Sequence, residues 1–286
     1  MFNWPVDLAC RVTNWHFDID GRMHQNYHKP RLFSYFPAAD VECSAIACLA
    51  YVQQHATRGD AASVVAAIDN YVDKTMMMNV GVAKGALHAT RGDAASVIAA
   101  IDDYADKTMM INIRAAKGAL VDTLIREKKP SIMVELGGYA GYSAVRFASL
   151  QREVAGTDAH YFSFEFSPEL AECVRTMVAF AGLSDQVTVI TGVFADQIDA
   201  ICGKAVDMVF IDHAKSCYAP DTKLILESGT LHNGSLLVAD NVLVPGVPEY
   251  LAFTESHLQF QTKRLEAPIN GSWLFTDALS VAEFQG

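Results

Sequence analysis

Apolar runs alternate with helix-forming segments from residue 131 to the end of the chain. Runs such as 206–211 and 235–239 are apolar at nearly every position, which is typical of parallel strands buried on both faces. We predict strands over 131–138, 161–167, 187–191, 206–212, 235–240, 260–266 and 273–282, and helices over 142–150, 168–181, 195–202, 221–228 and 248–257. Strands that alternate with helices in this way predict a doubly wound α/β sheet.

A tandem repeat precedes the predicted sheet. Residues 55–87 recur almost unchanged as residues 88–120, at an offset of 33 positions (88 − 55). A solenoid would need further repeats to bury a continuous core, so we interpret the repeat as a duplicated helical segment within a single domain, 41–286. The second copy runs directly into the first strand, which favours that copy as the one that docks on the sheet. Residues 1–40 are interpreted as an N-terminal tail of unknown role.

Composition disfavours several classes of partner. The formal net charge of −11 disfavours nucleic acid and anionic membrane surfaces, which attract basic proteins. No stretch is apolar enough to span a bilayer, and the start of the chain lacks the basic and apolar regions of a secretory signal. The six cysteines are dispersed and form no Cys-x-x-Cys pair, which is typical of a reducing compartment. We therefore expect a cytoplasmic protein that acts on a small molecule, and the oligomeric state stays open.

Acidic side chains follow two of the predicted strands. Asp212 comes directly after the apolar run 206–211, and Asp240 and Asn241 follow the run 235–239. Ligands of open α/β sheets bind at the carboxyl ends of the strands, and three such oxygen ligands suit Mg²⁺ with positions left for water or substrate. The alternative is that Asp212 and Asp240 only cap the helices that follow. Lys215, close behind Asp212, favours the metal site over capping.

A glycine-rich turn follows the first predicted strand, at 137–141. Glycine there lets the backbone approach a ligand, and the next helix presents free N–H groups. Glu165 ends the second strand, about twenty or more positions after the turn. An acidic residue at this spacing can hydrogen-bond a ribose. The pattern predicts an adenosine-containing cofactor without separating NAD from S-adenosylmethionine. The alternative for Glu165 is a charge that favours the start of the helix at Pro168.

Many motifs, in the right order, resemble the catechol O-methyltransferase family. They lie at 51–54, 78–81, 83–85, 125–127, 135–146, 180–183, 212–215 and 239–246. The resemblance spans roughly residues 45–286, interrupted by the duplicated unit. It implies a Rossmann-like class I methyltransferase fold, with a mostly parallel seven-stranded sheet, flanking helices and an antiparallel last strand. The implied reaction transfers a methyl group from S-adenosylmethionine to a hydroxyl of a catechol-like small molecule, with Mg²⁺ as a second cofactor.

The resemblance also implies roles for individual residues. Asp212, Asp240 and Asn241 would hold Mg²⁺. Lys215 matches the catalytic lysine of the family, where the alternative is a solvated surface lysine, and Glu266 matches the carboxylate that grips the second hydroxyl of the acceptor. The expected donor-binding residues are Ile113, Glu135, Gly137, Tyr139, Tyr142, Ser143, Glu165, Phe166, Asp212 and His213.

Three positions depart from the family pattern, among them Phe194, which stands where the family often has a serine near the adenine. Ala214 stands where the family has a bulky tryptophan, so we expect larger acceptors to be tolerated. Arg114 of the second copy stands where the family has a glycine near the methionine end of the donor, and the first copy has Gly81 at the same position.

Two other functions stay open: an O-methyltransferase of another specialised metabolite with vicinal oxygens, and a degraded donor-binding protein with little activity. An NAD-dependent oxidoreductase fits poorly because no hydride-transfer acid/base pair is evident.

Overall fold

The structure is a computed structural model that describes residues 89–107, 113–268 and 276–286, apart from the side chains of residues 104–107 and 114. The predicted tail 1–40, the first repeat copy 55–87 and the predicted start of the last strand at Trp273 lie outside the described residues. The assignment of 41–286 to a single domain therefore stays a prediction.

Seven strands form one sheet in the order β3-β2-β1-β4-β5-β7-β6. Strands β1 to β5 pair in parallel, and β7 runs antiparallel to both β5 and β6. The fold class expected from the sequence is confirmed, including the antiparallel last strand. The strands are β1 (Ile132–Leu136), β2 (His160–Glu165), β3 (Val187–Thr191), β4 (Val206–Ile211), β5 (Leu231–Ala239), β6 (Phe260–Pro268) and β7 (Thr276–Phe284).

Helices cover the sheet and follow most strands at their carboxyl ends. They are α1 (Ala94–Lys107), α2 (Arg114–Lys128), α3 (Tyr142–Ala155), α4 (Pro168–Phe180), α5 (Phe194–Gln197), α6 (Tyr218–Glu227) and α7 (Pro248–Ser256). The helix predicted over 195–202 is shorter than expected, because a 3₁₀ turn at Ile198–Ala200 follows α5 directly. Among the described residues, no helix combines the length and the apolar character needed to cross a bilayer.

The second repeat copy contributes to the core on one face of the sheet. Val97 and Ile101 of α1 are fully buried, in the same cluster as Val121 and Ile125 on α2. Both helices pack against α3. The described part of the second copy therefore packs on the sheet, and this is the copy that sequence continuity favours.

The site is positioned where the strand order reverses. β1 lies between β2 and β4, and the chain leaves β1 towards β2 before it returns to β4 on the other side. The carboxyl ends of β1, β4 and β5 consequently meet at one edge, where doubly wound folds bind their ligands. The glycine turn, Asp212 and Asp240 all follow these three strands directly.

Candidate active site at the carboxyl edge of the sheet

Lys215 brings two of the expected metal ligands together. Its Nζ donates to Oδ1 of Asp212 at 2.9 Å and to Oδ1 of Asn241 at 3.0 Å, and also to the hydroxyl of Tyr218 at 2.6 Å. The side chain of Lys215 is only 14% exposed, so the alternative of a solvated surface lysine is wrong. Asp212 and Asn241 thus converge on one point, although they follow different strands.

Asp212 and Asp240 hold their places through the sheet and not through helix capping. Their backbone N–H groups donate to Leu136 and Ile211, which extends the parallel ladder by one bond on each strand. The helical turns that follow receive no side-chain cap bond. The Oδ1 of Asp240 instead accepts from the neighbouring Asn241 N–H at 2.7 Å. The capping alternative is therefore wrong, because neither carboxylate caps the helical turn that follows it.

Two residues that sequence reasoning missed complete this edge. Nζ of Lys117, on α2, donates to Oδ1 of Asp240 at 2.5 Å and to Oδ2 of Asp277 at 3.0 Å. Asp277 lies at the start of β7 and is 1% exposed. The Ala-Lys-Gly motif, present in both repeat copies, was a signal that could have identified Lys117. No comparable signal marks Asp277, which is one acidic residue beside an apolar strand.

The crowding of charges at this edge alters several pKa values. Burial, followed by the nearby Asp212, raises the pKa of Asp240 to about 6, against the opposing effect of Lys117. Burial would lower the pKa of Lys117, but Asp240 and Asp277 more than compensate and raise it. Burial likewise opposes ionisation of Asp277, yet Lys117 and backbone donors lower the pKa of this carboxyl. A cation is therefore electrostatically favoured between these carboxylates.

Glu135 is a buried carboxyl with one unused oxygen. Its Oε2 accepts a hydrogen bond from Ser163 Oγ at 2.6 Å, whereas Oε1 is buried without a partner. Burial raises the pKa of Glu135 to about 7, although hydrogen bonds from Ser143 and Ser163 oppose the shift. A buried acceptor without a donor is costly, and a ligand N–H group would satisfy it.

Glu165 connects the end of β2 to the glycine-rich turn. Its Oε2 accepts from the N–H of Tyr139 at 2.8 Å, and its Oε1 accepts from the N–H of Ser167 at 2.9 Å. Ser167, and not Glu165, provides the side-chain cap of α4 through a bond from Leu170 N–H. Phe166 follows directly and is 57% exposed, which is unusual for a large apolar side chain. An acidic group beside an exposed aromatic ring suits a nucleoside.

Gly137 allows the ends of β1 and β4 to approach closely. Its φ is +97°, and a Cβ at this position would lie 2.5 Å from the backbone oxygen of Asp212. Any other residue would push the two strand ends apart. Tyr139 of the same turn also has positive φ, at 45°. The turn is therefore built for close backbone packing at the site.

Two other expected donor-binding residues have side chains inside the fold. Ile113, just before α2, is buried in the core cluster on the helix-covered face. The hydroxyl of Tyr142 donates to Asp102 of α1 at 2.9 Å and accepts from Arg146 at 2.8 Å. These side chains join the second repeat copy to α3. The side chain of Arg114 lies outside the described set.

His213 belongs to a separate cluster. Its Nε2 lies 2.8 Å from Oδ2 of Asp221, and its ring stacks on Tyr218 with centroids 5.2 Å apart. A ligand atom of Cys217 lies within 4.8 Å of those of His213 and Asp221. Nitrogen, sulfur and oxygen ligands suit Zn²⁺, whereas Mg²⁺ prefers oxygen alone. The oxygen set of Asp212 and its neighbours is thus the better match for Mg²⁺.

Glu266 and Ala214 lie on exposed parts of the protein near this edge. Glu266 is on β6, where it pairs with Ala278, the residue after Asp277. The expected role of Glu266 in gripping an acceptor stays a prediction. Ala214 is exposed directly before Lys215, and its side chain is only a methyl group.

Comparisons with known proteins give sequence relatives and a shared fold. A family model described as a methyltransferase domain matches residues 134–242. Catechol O-methyltransferase of Bos taurus is 39% identical over 83% of this chain and 75% of its own length. The enzyme of that name from Mus musculus is 40% identical, over 83% of this chain and 77% of its own. The solved structure of the O-methyltransferase TomG of Streptomyces achromogenes, in complex with SAM, shares the fold, with a TM-score of 0.57. Its sequence is 20% identical, and the match covers 72% of this chain and 96% of TomG.

Proposed function

The chain belongs to the catechol O-methyltransferase family, and on that premise we propose that it transfers a methyl group from S-adenosylmethionine to one hydroxyl of a catechol-like small molecule, with Mg²⁺ held by Asp212, Asp240 and Asn241. The observation that carries the proposal is the convergence of these oxygens: Lys215 Nζ bonds Asp212 and Asn241 together, and the adjacent Asp240 is 1% exposed. They lie where the strand order reverses.

The donor set supports Mg²⁺. The two carboxylates and the amide would each bind through oxygen, the hard ligand atom that Mg²⁺ prefers, and none would bind through sulfur or nitrogen. When bound, Mg²⁺ supplies Lewis acidity that lowers the pKa of an aromatic hydroxyl in contact with it, as metal ions do for bound water.

The residues around the glycine turn support S-adenosylmethionine as the donor. Glu135 carries a buried oxygen without a partner, which suits the ammonium of the methionine part. Glu165 ends β2, where a carboxylate can bond ribose hydroxyls, and Phe166 offers an exposed ring to the adenine. His213, which contacts Asp221, follows β4, on the opposite side of β1 from Glu165.

In its neutral amine form, Lys215 is the group placed to take the hydroxyl proton of the acceptor. It lies between two proposed metal ligands, so a vicinal diol at the metal would be in its reach. The deprotonated oxygen then forms a bond to the methyl carbon as the carbon–sulfur bond breaks, which yields the aryl methyl ether and S-adenosylhomocysteine. The protein accelerates this step mainly by holding oxygen and methyl in contact and in line. Glu266 would accept a hydrogen bond from the second hydroxyl.

A larger acceptor with vicinal oxygens is a second candidate. The exposed Ala214 beside Lys215 favours it, because a small side chain leaves one wall of the acceptor groove low. Both candidates share the donor, the metal and the reaction.

Transfer of labelled methyl groups from S-adenosylmethionine to catechol, in parallel with phenol, tests the proposal. Phenol is a matched acceptor that lacks the second hydroxyl. We expect methylation of catechol and at least a hundredfold slower methylation of phenol, because one hydroxyl cannot chelate the metal and contact Glu266 at once. Equal rates on the two acceptors would contradict the proposal. Donor binding in calorimetry without any transfer would instead indicate a donor-binding protein with little activity.

A further inference from the structure

Asp277 is a buried carboxylate that joins β7 to the site. Its Oδ1 accepts from the backbone N–H groups of Leu243 at 3.1 Å and Val244 at 3.0 Å. Its Oδ2 accepts from Asn241 Nδ2 at 3.1 Å and from Lys117 Nζ at 3.0 Å. The first pair of bonds fixes the backbone after β5, and the second pair reaches side chains at the proposed metal site.

The contact with Asn241 selects the orientation of its amide. A carboxylate only accepts hydrogen bonds, so the amide must present its nitrogen to Asp277. Its oxygen then faces the opposite way, where it accepts from Lys215 at 3.0 Å and lies on the side of Asp212. Asn241 also has left-handed backbone angles, φ 58° and ψ 35°, in a segment bonded to Asp277. Both the backbone and the amide of this residue therefore depend on Asp277.

Through Lys117, Asp277 also influences the position of Asp240, the second proposed metal ligand after β5. The Lys117 ammonium lies between the carboxylates of Asp277 and Asp240 and bonds both. It is 11% exposed, so the three charged groups form a buried chain from β7 through α2 to the end of β5. Asp240 is thereby held at one of its oxygens, which leaves the other free to turn to a ligand.

We propose that Asp277 is a positioning residue for the metal site: it orients the Asn241 oxygen towards the cation and, through Lys117, fixes the Asp240 carboxylate. This inference rests on the proposed function, because it assigns a role towards Mg²⁺. Groups that orient metal ligands in this way typically change metal affinity about 10–100-fold when they are replaced. A carboxylate that only tied β7 to the fold would affect stability and leave metal affinity unchanged.

Asp277→Asn is the sharpest variant, because it keeps the shape and replaces an acceptor oxygen with an N–H donor. The new amide competes with Asn241 Nδ2 and favours a flipped Asn241 amide. We expect Mg²⁺ affinity, measured by calorimetry without acceptor, to fall about 10–100-fold. We also expect kcat to recover largely at saturating Mg²⁺. Ser280→Ala is the matched control, since Ser280 is equally buried on the same strand and should leave Mg²⁺ affinity unchanged.

The outcomes separate this inference from the proposed function. If the wild-type chain binds no Mg²⁺, the proposed function is wrong and the inference fails with it. If the wild type binds Mg²⁺ and Asp277→Asn binds it equally tightly, the inference alone is wrong. Should Asp277→Asn not fold, a crystal structure of the wild type with Mg²⁺ decides: we expect Asn241 Oδ1 on the metal and Nδ2 on Asp277, and an amide turned away from Asp277 would overturn the inference.

Discussion

Lys117 Nζ lies 2.5 Å from Oδ1 of Asp240, although 123 positions separate the two residues in the chain. Lys117 comes from the second copy of the tandem repeat, whereas Asp240 directly follows β5. The duplicated segment is therefore more than an addition at the surface, because one of its copies supplies a charged group to the proposed metal site. This relationship predicts how the protein responds when one copy is removed.

Removal of residues 55–87 should leave the site intact. The second copy already packs on the sheet through Val97 and Ile101 and supplies Lys117. We expect the shortened chain to fold and to bind S-adenosylmethionine and Mg²⁺ with affinities within about twofold of the full chain, measured by calorimetry. A large loss of either affinity would show that the first copy takes part in the site.

Removal of residues 88–120 provides the matched comparison. The two shortened chains have equal length and differ only where the copies differ, including Gly81 in place of Arg114. Arg114 adds bulk and charge where the family has glycine, so we expect the chain with Gly81 to bind the donor at least as tightly. Weaker donor binding by the chain with Gly81 would mean that Arg114 contributes favourably to the site.

Replacement of Lys215 by methionine should stop chemistry without preventing donor binding. Lys215 is the proposed proton acceptor, and general-base catalysis typically contributes about 10²–10⁴-fold. We expect kcat to fall in that range while the dissociation constant of S-adenosylmethionine changes little. Lys223→Met is the control, because Lys223 lies on α6 but is exposed and stacks over Phe253. If Lys215→Met retained the wild-type kcat, Lys215 would not be the base.

Donor affinity should rise with pH through about 7. Burial raises the pKa of Glu135 to about 7, so this carboxyl is mostly neutral below that pH and charged above it. The charged form attracts the donor ammonium, so we expect affinity to fall by up to about tenfold per unit on the acid side. Calorimetric titrations from pH 5.5 to 7.5 measure this profile, and Glu135→Gln should flatten it.

Ser163→Ala tests the same assignment independently. Ser163 Oγ donates to Glu135 Oε2 and thereby lowers the pKa of Glu135. Without this bond the pKa rises further, and the midpoint of the affinity profile should move to higher pH. An unchanged midpoint would mean that another group controls donor binding.

Replacement of Ala214 by tryptophan should narrow the range of acceptors. Ala214 is exposed beside Lys215, and a large ring there would raise the wall of the acceptor groove. We expect the ratio of kcat/KM for catechol over a bulky flavonoid-like catechol to increase about tenfold. Ala179→Trp is the control, because Ala179 is exposed near the C-terminal end of α4, which leads away from the carboxyl edge. An unchanged ratio in Ala214→Trp would show that Ala214 does not line the groove.

The fold was predictable because strands buried on both faces leave continuous apolar runs. The strand predicted over 206–212 spans Val206–Ile211 in the structure, and all but one of its residues are buried. The start of α6 was missed, since a 3₁₀ turn at Lys215–Cys217 leads directly into Tyr218 and no capping side chain marks the boundary. Short 3₁₀ turns of this kind are frequent at the ends of α-helices, where they blur the boundary that a sequence pattern would predict.

The site was predictable only in part. Asp212, Asp240 and Asn241 follow apolar runs, so their common edge could be inferred from topology alone. Lys117 and Asp277 are 160 positions apart, and their contact is created by the packing of α2 and β7 at that edge. The Ala-Lys-Gly motif could single out Lys117 alone. No local pattern encodes its contact with Asp277, because the two residues lie on separate elements that only the fold brings together.

The dependence of methyl transfer on a divalent cation is the decisive measurement for the proposed chemistry. The measurement is the initial rate of catechol methylation by protein stripped with a chelator and then titrated with Mg²⁺, with Asp240→Asn in parallel. We expect no measurable transfer by the stripped protein, a saturable return of activity with Mg²⁺, and a much higher Mg²⁺ requirement in the variant. Undiminished transfer by the stripped protein would mean that no metal ion takes part in the reaction.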